Sequence, residues 1–454
     1  MDYSQLITAQ RKFFHSGKTR DVRFRLARLK EIRRLLRAQE SELYDAIHKD
    51  FAKSPFDTYA TELGLIYHEL NLFIKKIKRW ARPVKLPAGL VNFPAKSYII
   101  PEPLGVCLVI GAWNYPYQLA LLPAISALAA GNTVILKPSE KAPHTSAVMA
   151  ALINKNFDPA YFHVVEGGVP ETTELLHHHF DKIFFTGSTR VGQIIYQAAA
   201  RHLTPVTLEL GGKSPCFVLK SARIKTAARR IVWAKFLNAG QTCVAPDYVL
   251  VHRDIQDAFL AAVKAEVERQ YPGERTDNYP QIIDTAHVER LAALIDPDKL
   301  FLGGEVDIRA RYIAPTVLTD VSFDDPVMQE EIFGPILPVL TFDSLDEAIR
   351  EVKARPRPLA CYVYGSNRKQ IKRILYDIQF GGGCVNESVM HLTNPQLPFG
   401  GVGKSGIGSY HGWFGFRTFS HFKGILDKST LPDPPVKYAP YTPLKQRIIR
   451  WLLG

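Results

Sequence analysis

Cysteine is scarce in this sequence, which contains only five cysteines among 454 residues. They are widely scattered, their number is odd, and no two of them form a Cys-x-x-Cys pair. This distribution argues against a disulfide framework and a structural zinc site, and it favours a reducing compartment. We therefore expect a cytoplasmic protein without a metal site. The three histidines at 177–179 do not change this expectation, because consecutive residues of a helix point to different faces.

The sequence also lacks an uninterrupted apolar run that could cross a membrane. The stretch between Glu102 and Lys137 contains no charged residue, but asparagine, proline and glycine interrupt it. Its pattern predicts a buried strand at 106–110, a loop at 111–116, a helix at about 117–130 and a second buried strand at 133–136. The first residues contain no apolar run that ends in small residues, so we expect no signal peptide.

Acidic residues are outnumbered by basic ones, and the formal net charge is +13. Eleven lysines and arginines lie at 11–37, in a predicted amphipathic helix with Val22, Leu26, Leu29 and Leu36 on its apolar side. Such a helix is either a solvated outer face or a surface for acidic membranes or nucleic acid. The tail at 444–454 alternates arginines with large apolar residues, which predicts contact with a bilayer surface or with a partner subunit. We expect no nucleic-acid partner.

Apolar strands alternate with helices along most of the chain, which is typical of doubly wound α/β sheets. A first alternating region contains predicted strands at 161–167, 182–187 and 205–212 and helices at 171–179 and 191–202. A second region runs from about 215 to 380, with a predicted strand at 248–252 and predicted helices at 224–238, 255–270 and 345–353. The segment 381–408 is rich in glycine and proline and is predicted to be a loop. Two α/β lobes should enclose a cleft beyond the carboxyl ends of their strands.

Two segments could bind a nucleotide at that edge. In "FFTGSTRVG" (184–192) an apolar strand leads through Gly187 into a helix, whose first N–H groups would face a pyrophosphate. The three-glycine fingerprint is absent, so an ordinary strand-to-helix turn is an alternative. Lys137 and Glu140 end another strand, where they could hold ribose hydroxyls or simply be exposed charges.

Two cysteines are candidates for reactive thiols. Cys107, Cys216 and Cys361 lie inside apolar strand patterns, where cysteine is usually an inert small side chain. Cys243 and Cys384 instead lie in predicted loops, so both could be nucleophiles. A nucleophilic thiol requires deprotonation, donors for an oxyanion and a base for the following hydrolysis. Glu209 ends a strand without a neighbouring cation in sequence, so it is either such a base or a surface glutamate.

Seven motifs together resemble the aldehyde dehydrogenase superfamily, and the resemblance covers nearly the whole chain. "CVAPDY" and "SGIGSYHG" resemble its class 3 and fatty aldehyde dehydrogenase branch. The motifs are "WNYP" (113–116), "LKPSE" (136–140), "FTGSTRVG" (185–192), "LELGGKSP" (208–215), "GQTCVAPDY" (240–248), "EEIFGP" (330–335) and "LPFGGVGKSGIGSYHG" (397–412).

The resemblance implies an α/β fold with a Rossmann-like cofactor domain, a second α/β catalytic domain and a small oligomerisation sheet. The implied boundaries are 1–85 with 106–208 for the NAD(P)-binding domain, 209–395 for the catalytic domain, 86–105 with 396–430 for the oligomerisation segments, and 431–454 for the tail. A homodimer is the implied assembly.

The resemblance also implies a mechanism and its residues. Cys243 would attack an aldehyde, the Asn114 amide and the Cys243 backbone N–H would hold the oxyanion, and Glu209 would activate water to hydrolyse the thioester. The implied cofactor contacts are Trp113, Lys137, Glu140, Thr186, Gly187, Ser188, Val191, Gly192, Leu210, Glu331 and Phe333. The implied substrate contacts are Tyr115, Gln118, Leu119, Trp233, Leu237 and Thr242.

The expected reaction is therefore the NAD(P)-dependent oxidation of a medium- or long-chain aliphatic or an aromatic aldehyde to its carboxylic acid. Glu140 near a ribose 2′-hydroxyl would favour NAD, with NADP possible as a second cofactor. Two alternatives remain at this stage. A relative without activity would serve as a structural or binding protein, and a coenzyme A-acylating enzyme would release the thioester to a thiol instead of water.

Overall fold

The structure is a computed structural model that describes residues 2–272 and 279–454. The α-helices of these residues are α1 (Tyr3–His15), α2 (Val22–Ala38), α3 (Glu40–Phe51), α4 (Pro55–Thr58), α5 (Gly64–Trp80), α6 (Pro116–Ala130), α7 (Pro143–Asn156), α8 (Val169–Leu176), α9 (Thr189–Ala200), α10 (Ile224–Phe236), α11 (Gln256–Gln270), α12 (Thr285–Ala292), α13 (Leu345–Lys353), α14 (Arg368–Asp377), α15 (Gly412–Thr418) and α16 (Pro443–Leu453).

The strands of the same residues form two large sheets and two small ones. They are β1 (Val84–Leu86), β2 (Ala95–Pro103), β3 (Val106–Ile110), β4 (Thr133–Lys137), β5 (Phe162–Val164), β6 (Lys182–Thr186), β7 (Val206–Glu209), β8 (Pro215–Val218), β9 (Tyr248–His252), β10 (Leu300–Leu302), β11 (Val306–Asp307), β12 (Tyr312–Ile313), β13 (Thr316–Leu318), β14 (Ile336–Phe342), β15 (Ala360–Tyr364), β16 (Gly382–Val385), β17 (Gly406–Ile407) and β18 (Ser420–Lys428).

The first large sheet has the strand order β17-β7-β6-β3-β4-β5, in which only β17 runs antiparallel to its neighbour. Every residue of β3, β4 and β6 is buried. Continuous apolar strands of this kind require cover on both faces of the sheet. One cover is α6, in which all 15 residues are buried. The charge-free stretch of the sequence therefore forms the buried centre of the first α/β layer rather than a membrane span.

The second large sheet has the order β10-β13-β14-β9-β8-β15-β16, parallel except at β10. A separate three-stranded antiparallel sheet, β1-β2-β18, joins two distant segments of the chain. β2 and β18 pair over their whole lengths, from Pro103 opposite Ser420 to Ala95 opposite Lys428. The predicted α/β fold class is confirmed, with two parallel sheets and one small additional sheet.

Several predicted elements are confirmed with their bounds. The predictions for β3, β9 and α13 match to the residue. No α-helix of the described residues is both long and apolar enough to cross a bilayer.

Two parts of the sequence prediction are wrong, and one region of the fold was not predicted. The basic segment 11–37 is not one helix, because Gly17 takes a left-handed φ of 78° and Asp21 caps the start of α2. Within 381–408, residues 382–385 form β16 rather than loop, so Cys384 lies on a strand. Gly383 allows this close pairing, since a Cβ there would lie 2.0 Å from the Cys361 carbonyl oxygen. The elements between 285 and 318 were not predicted at all.

Candidate active site

The carboxyl ends of four parallel strands meet at one edge of the first sheet. β4 ends at Lys137, β6 at Thr186 and β7 at Glu209, and the loop after β3 carries Asn114. A cleft of about 910 Å³ opens at this edge, and residues that follow β9 and precede β14 also line it. Ligands of open α/β sheets bind at this end of the strands.

The cleft brings together many, but not all, of the residues predicted for the site. Those that line it are Trp113, Asn114, Thr186, Gly187, Ser188, Glu209, Leu210, Cys243, Glu331 and Phe333. Those outside its lining are Lys137, Glu140, Val191 and Gly192, together with the predicted substrate contacts Tyr115, Gln118, Leu119, Trp233, Leu237 and Thr242. Lys137 and Glu140 nevertheless form an ion pair, with 3.0 Å between Nζ and Oε2.

The predicted substrate residues fall into two groups. Tyr115 and Thr242 are buried, and their hydroxyl oxygens lie 2.5 Å apart. Thr242 directly precedes Cys243 in the chain. Gln118 and Leu119 are buried in α6, whereas Trp233 is 36% exposed on α10. Tyr115 and Thr242 therefore pack beside the loop of Cys243 without lining the cleft, while Trp233 faces solvent in this monomer.

A strained turn delivers Cys243 to the cleft. After α10 the backbone takes left-handed conformations at Asn238 (φ 54°) and Ala239 (φ 51°), an arrangement that persists only where the surroundings enforce it. The Asn238 side-chain amide donates to the Asn114 carbonyl oxygen at 2.8 Å. The Asn114 amide in turn donates to the Gln241 carbonyl oxygen at 3.0 Å. These two bonds tie the loop of Asn114 to the loop of Cys243.

The surroundings of Cys243 favour the protonated thiol over the thiolate. Burial raises its pKa well above the usual range, and the nearby Glu331 and Glu209 carboxyls raise it further. A thiolate is the nucleophilic form of cysteine. Attack by Cys243 therefore requires that another group accept its proton.

Glu209 is a buried carboxyl without a hydrogen-bond partner. Its residue is 2% exposed, and neither carboxyl oxygen has a partner among residues 2–272 and 279–454. Burial raises the pKa of Glu209 well above its ordinary value. A carboxyl of this kind is suited to accept a proton from a substrate or a water in the cleft.

Glu331 is a second perturbed carboxyl in the lining of the cleft. Burial and then the charge of Asp247 raise its pKa to about 8. Asp247 also fixes the loop of Glu331, because its carboxylate accepts the Ile332 N–H at 3.1 Å and pairs with Lys213 at 2.5 Å. A Cβ at Gly211 would lie 2.0 Å from a Glu331 carboxyl oxygen, so a larger residue there would displace the Glu331 side chain.

The residues of the cleft fit a dinucleotide. Ser188 caps the N-terminus of α9, where N–H groups favour a phosphate. Gly187 presents bare backbone, since a Cβ there would lie 2.5 Å from the Phe185 ring. The buried hydroxyl of Thr186 has no partner within the described part of the chain. The rings of Trp113 and Phe333 meet edge to face, with centroids 5.4 Å apart.

Sequence reasoning missed other residues of the cleft. His287 packs its ring against Trp113 at 5.5 Å, and Arg290 donates to the Ile332 carbonyl oxygen at 2.6 Å. Both belong to α12, for which no helix was predicted. Asp284 before "TAHVERLA" was the available signal for this helix, because an aspartate in front of such a run is a typical N-cap. In the structure, Asp284 accepts the His287 N–H.

Fold and cleft define an α/β enzyme of the dinucleotide-binding type, and comparisons with known proteins agree. The model of the aldehyde dehydrogenase family matches residues 1–425. The chain is 45% identical to 4,4'-diaponeurosporen-aldehyde dehydrogenase of Staphylococcus aureus, over 94% of each chain. It is also 45% identical to the dimeric NADP-preferring aldehyde dehydrogenase of Rattus norvegicus, over 98% of this chain and 99% of that one.

A third relative is aldehyde dehydrogenase family 3 member A2 of Mus musculus, with 44% identity over 97% of this chain and 91% of that one. Among solved structures, the substrate-bound state of Staphylococcus aureus AldH superposes with a TM-score of 0.98 at 43% identity, and each chain is covered completely. The chain belongs to the aldehyde dehydrogenase family, in its class 3-like branch. It is an NAD(P)-dependent oxidoreductase that acts on aldehydes.

Proposed function

We propose that this chain oxidises medium- or long-chain aliphatic or aromatic aldehydes to carboxylic acids, through a thioester on Cys243 that Glu209-activated water hydrolyses. The observation that carries the proposal is the common cleft of Cys243, Asn114 and Glu209, with Glu209 buried and unpartnered. The thiol, an amide donor and a base are the three groups that this chemistry requires.

In the first step the Cys243 sulfur bonds to the carbonyl carbon, and the carbonyl π electrons move to oxygen. The Asn114 amide uses one N–H for the Gln241 carbonyl and has a second for the oxyanion. The Cys243 backbone N–H is the other proposed donor. Loss of one such donor usually lowers the rate about 100- to 1,000-fold. Glu331 accepts the thiol proton, so that Glu209 stays available as the base for water.

When bound, NAD(P)⁺ would supply the hydride acceptor for oxidation of the carbon held on Cys243. Ser188, Gly187 and Thr186 would hold its phosphate side, and Glu331 with Phe333 its nicotinamide side. Glu209 then takes a proton from water while the water oxygen attacks the thioester carbon. The carbon–sulfur bond breaks with its electron pair going to sulfur, the sulfur takes up the proton that Glu209 removed from water, and the carboxylic acid leaves. A base in this place supports hydrolysis rather than transfer to coenzyme A.

The cofactor preference rests on Glu140, which we propose to lie near the ribose 2′-hydroxyl. Its carboxylate would repel a 2′-phosphate and favour NAD over NADP. The rat relative is named as NADP-preferring, so the cofactor preference of this chain has to be measured directly.

An aldehyde panel assayed with each cofactor tests substrate and cofactor together. We expect kcat/KM to rise with chain length, because each buried CH₂ contributes about 0.8 kcal/mol, or roughly fourfold. We expect NAD to be preferred, and Glu140→Gln to reduce that preference roughly tenfold by removing a like-charge contact. Carboxylic acid should form at the same rate with and without coenzyme A.

Glu268→Gln is the matched control, because Glu268 is an exposed glutamate of α11 outside the cleft. A flat or falling dependence on chain length would contradict the proposed substrate class. An unchanged NAD-to-NADP ratio in Glu140→Gln would remove Glu140 from the cofactor site.

We further propose that β1, β2 and β18 with their flanking segments form the contact of a homodimer in the cytoplasm, and that α16 touches a membrane surface. No residue of α16 is buried. Trp451 is 81% exposed and Leu453 68% exposed, next to Arg447 and Arg450. Exposed aromatic and apolar residues among arginines are typical of helices that lie on anionic bilayers.

Flotation with anionic phosphatidylserine vesicles tests the tail. We expect the full chain to float with the vesicles and a chain without residues 444–454 to remain largely at the bottom, because both apolar and cationic contacts are lost. Vesicles of phosphatidylcholine alone should bind the full chain more weakly. If both chains bind the anionic vesicles equally, α16 is not the membrane contact.

A further inference from the structure

A fully buried ion pair lies next to the cleft without contributing to its lining. The Lys53 Nζ and the Glu62 Oε1 are 2.9 Å apart, and both side chains are 0% exposed. Burying two charges is expensive, and an apolar pair of the same size is often as stable or more so. The Lys53–Glu62 pair therefore calls for a reason other than stability, and its further contacts supply one.

Glu62 holds the start of the helix that follows Asn114. Its second oxygen, Oε2, accepts the N–H of Tyr117 at 2.7 Å and the N–H of Gln118 at 3.3 Å. These are first-turn N–H groups of α6, which have no partner within their own helix. Asn114 lies two residues before α6 begins, so the carboxylate fixes the direction in which the Asn114 loop enters the helix.

An unusual backbone places Glu62 in this position. Residues Tyr59–Leu63 form a π-helical turn between α4 and α5. Such turns are rare and occur frequently at functional sites. The turn is closely packed, since a Cβ on Gly64 would meet the Tyr59 carbonyl oxygen at 2.7 Å. The extra residue in this turn directs Glu62 inward toward Lys53 and α6.

Lys53 extends the contact to the loop of Cys243. Its ammonium lies 4.3 Å from the centroid of the Tyr115 ring, which is a cation–π contact between buried groups. The Tyr115 hydroxyl meets the Thr242 hydroxyl at 2.5 Å. Thr242 directly precedes Cys243. One buried pair thus contacts both loops, through Tyr117 and Gln118 on one side and through Tyr115 and Thr242 on the other.

We propose that Lys53 and Glu62 are positioning residues for acyl transfer, which hold the Asn114 amide and Cys243 in register so that the oxyanion is bound. Neither side chain touches the reacting atoms. The inference rests on the proposed function, since it assigns the oxyanion to Asn114 and the nucleophile to Cys243.

Two reagents for the same thiol separate positioning from general structure. Acylation of Cys243 by p-nitrophenyl acetate passes through an oxyanion, whereas alkylation by iodoacetamide does not. In Lys53→Met and Glu62→Gln we expect acylation to slow about 10- to 100-fold, since small displacements at a reacting centre have effects of this size. Alkylation should change less than about twofold. Both modifications are assigned to Cys243 by peptide mass spectrometry.

Arg11→Met is the matched control. Arg11 pairs with Asp181 at 2.9 Å, and Asp181 accepts the Val106 N–H at 2.8 Å. Like Glu62, Asp181 therefore pairs with a cation and accepts a backbone N–H. It does so at the amino end of β3, at the edge of the sheet opposite the cleft. We expect both reactions of Arg11→Met to match those of the unmodified protein.

A single variant that leaves a buried charge unpaired can fail to fold, so the double variant Lys53→Met with Glu62→Gln is included. It contains neither charge, and we expect it to fold and to show the same selective loss of acylation. Acylation at the original rate in any folded variant overturns the proposal, as does equal slowing of both reactions. If the unmodified protein is not acylated at Cys243, the proposed function itself fails, and that result is distinct from the others.

Discussion

Replacing Cys243 with serine should lower kcat/KM for aldehyde oxidation at least about 10,000-fold. A serine hydroxyl is far less acidic than a thiol, and the ester that it would form is less readily hydrolysed than a thioester. Removal of a covalent nucleophile generally has effects of this size. NAD(P)H formation measures the loss, and circular dichroism with NADH fluorescence verifies that the variant folds and retains cofactor.

The control for Cys243→Ser is Cys384→Ser. Cys384 is the other half-buried thiol, with its sulfur 3.6 Å from the His391 Nδ1, and it is not part of the cleft lining. We expect this variant to retain nearly full activity. If Cys384→Ser is inactive and Cys243→Ser is not, the nucleophile has been assigned to the wrong cysteine.

Replacing Glu209 with glutamine should stop the reaction after acylation. Glutamine has the same shape but cannot take a proton from water, so turnover should fall about 100- to 10,000-fold. A burst of NAD(P)H equal to the enzyme concentration should remain, and intact-protein mass spectrometry should show an acyl group on Cys243. In the unmodified enzyme, deacylation should accelerate as the pH rises through the raised pKa of Glu209, because only the carboxylate accepts a proton.

Glu209→Asp serves as the conservative partner of this variant. It keeps a carboxyl at a greater distance and should lose less activity than Glu209→Gln. If Glu209→Gln shows neither an acyl-enzyme nor a burst, Glu209 is needed before hydrolysis, and Glu331 becomes the candidate for the hydrolytic base.

Periodicity predicted the interior of the fold better than its edges. β3 and β9 were predicted to the residue because every position of such a central strand is apolar or nearly so. β16 was missed because an edge strand of glycines has no apolar pattern, and its pairing depends on the absence of side chains at Gly383. The short strands between 300 and 318 carry too few residues for any period to show.

The candidate site was predicted through motifs, and its supports were not. The carboxyl ends of β3, β6 and β7 bring Asn114, Thr186 and Glu209 to one edge, as parallel topology requires. Lys53 and Glu62 could not be found this way. They contact the neighbours of Asn114 from a segment more than 50 residues earlier in the chain. In addition, a π-helical turn leaves no signature in the pattern of apolar residues.

The glycine three residues before Cys243 couples two parts of the molecule that are far apart in sequence. Gly240 has a φ of 73°, and a Cβ on it would lie 2.2 Å from the Gly334 carbonyl oxygen. The chain segments that carry Cys243 and Glu331 therefore touch main chain to main chain. Any bulkier residue at position 240 would push the two segments apart and increase the distance between the Cys243 thiol and the Glu331 carboxyl. An engineer who redesigns one of these segments for a new substrate must redesign the other at the same time.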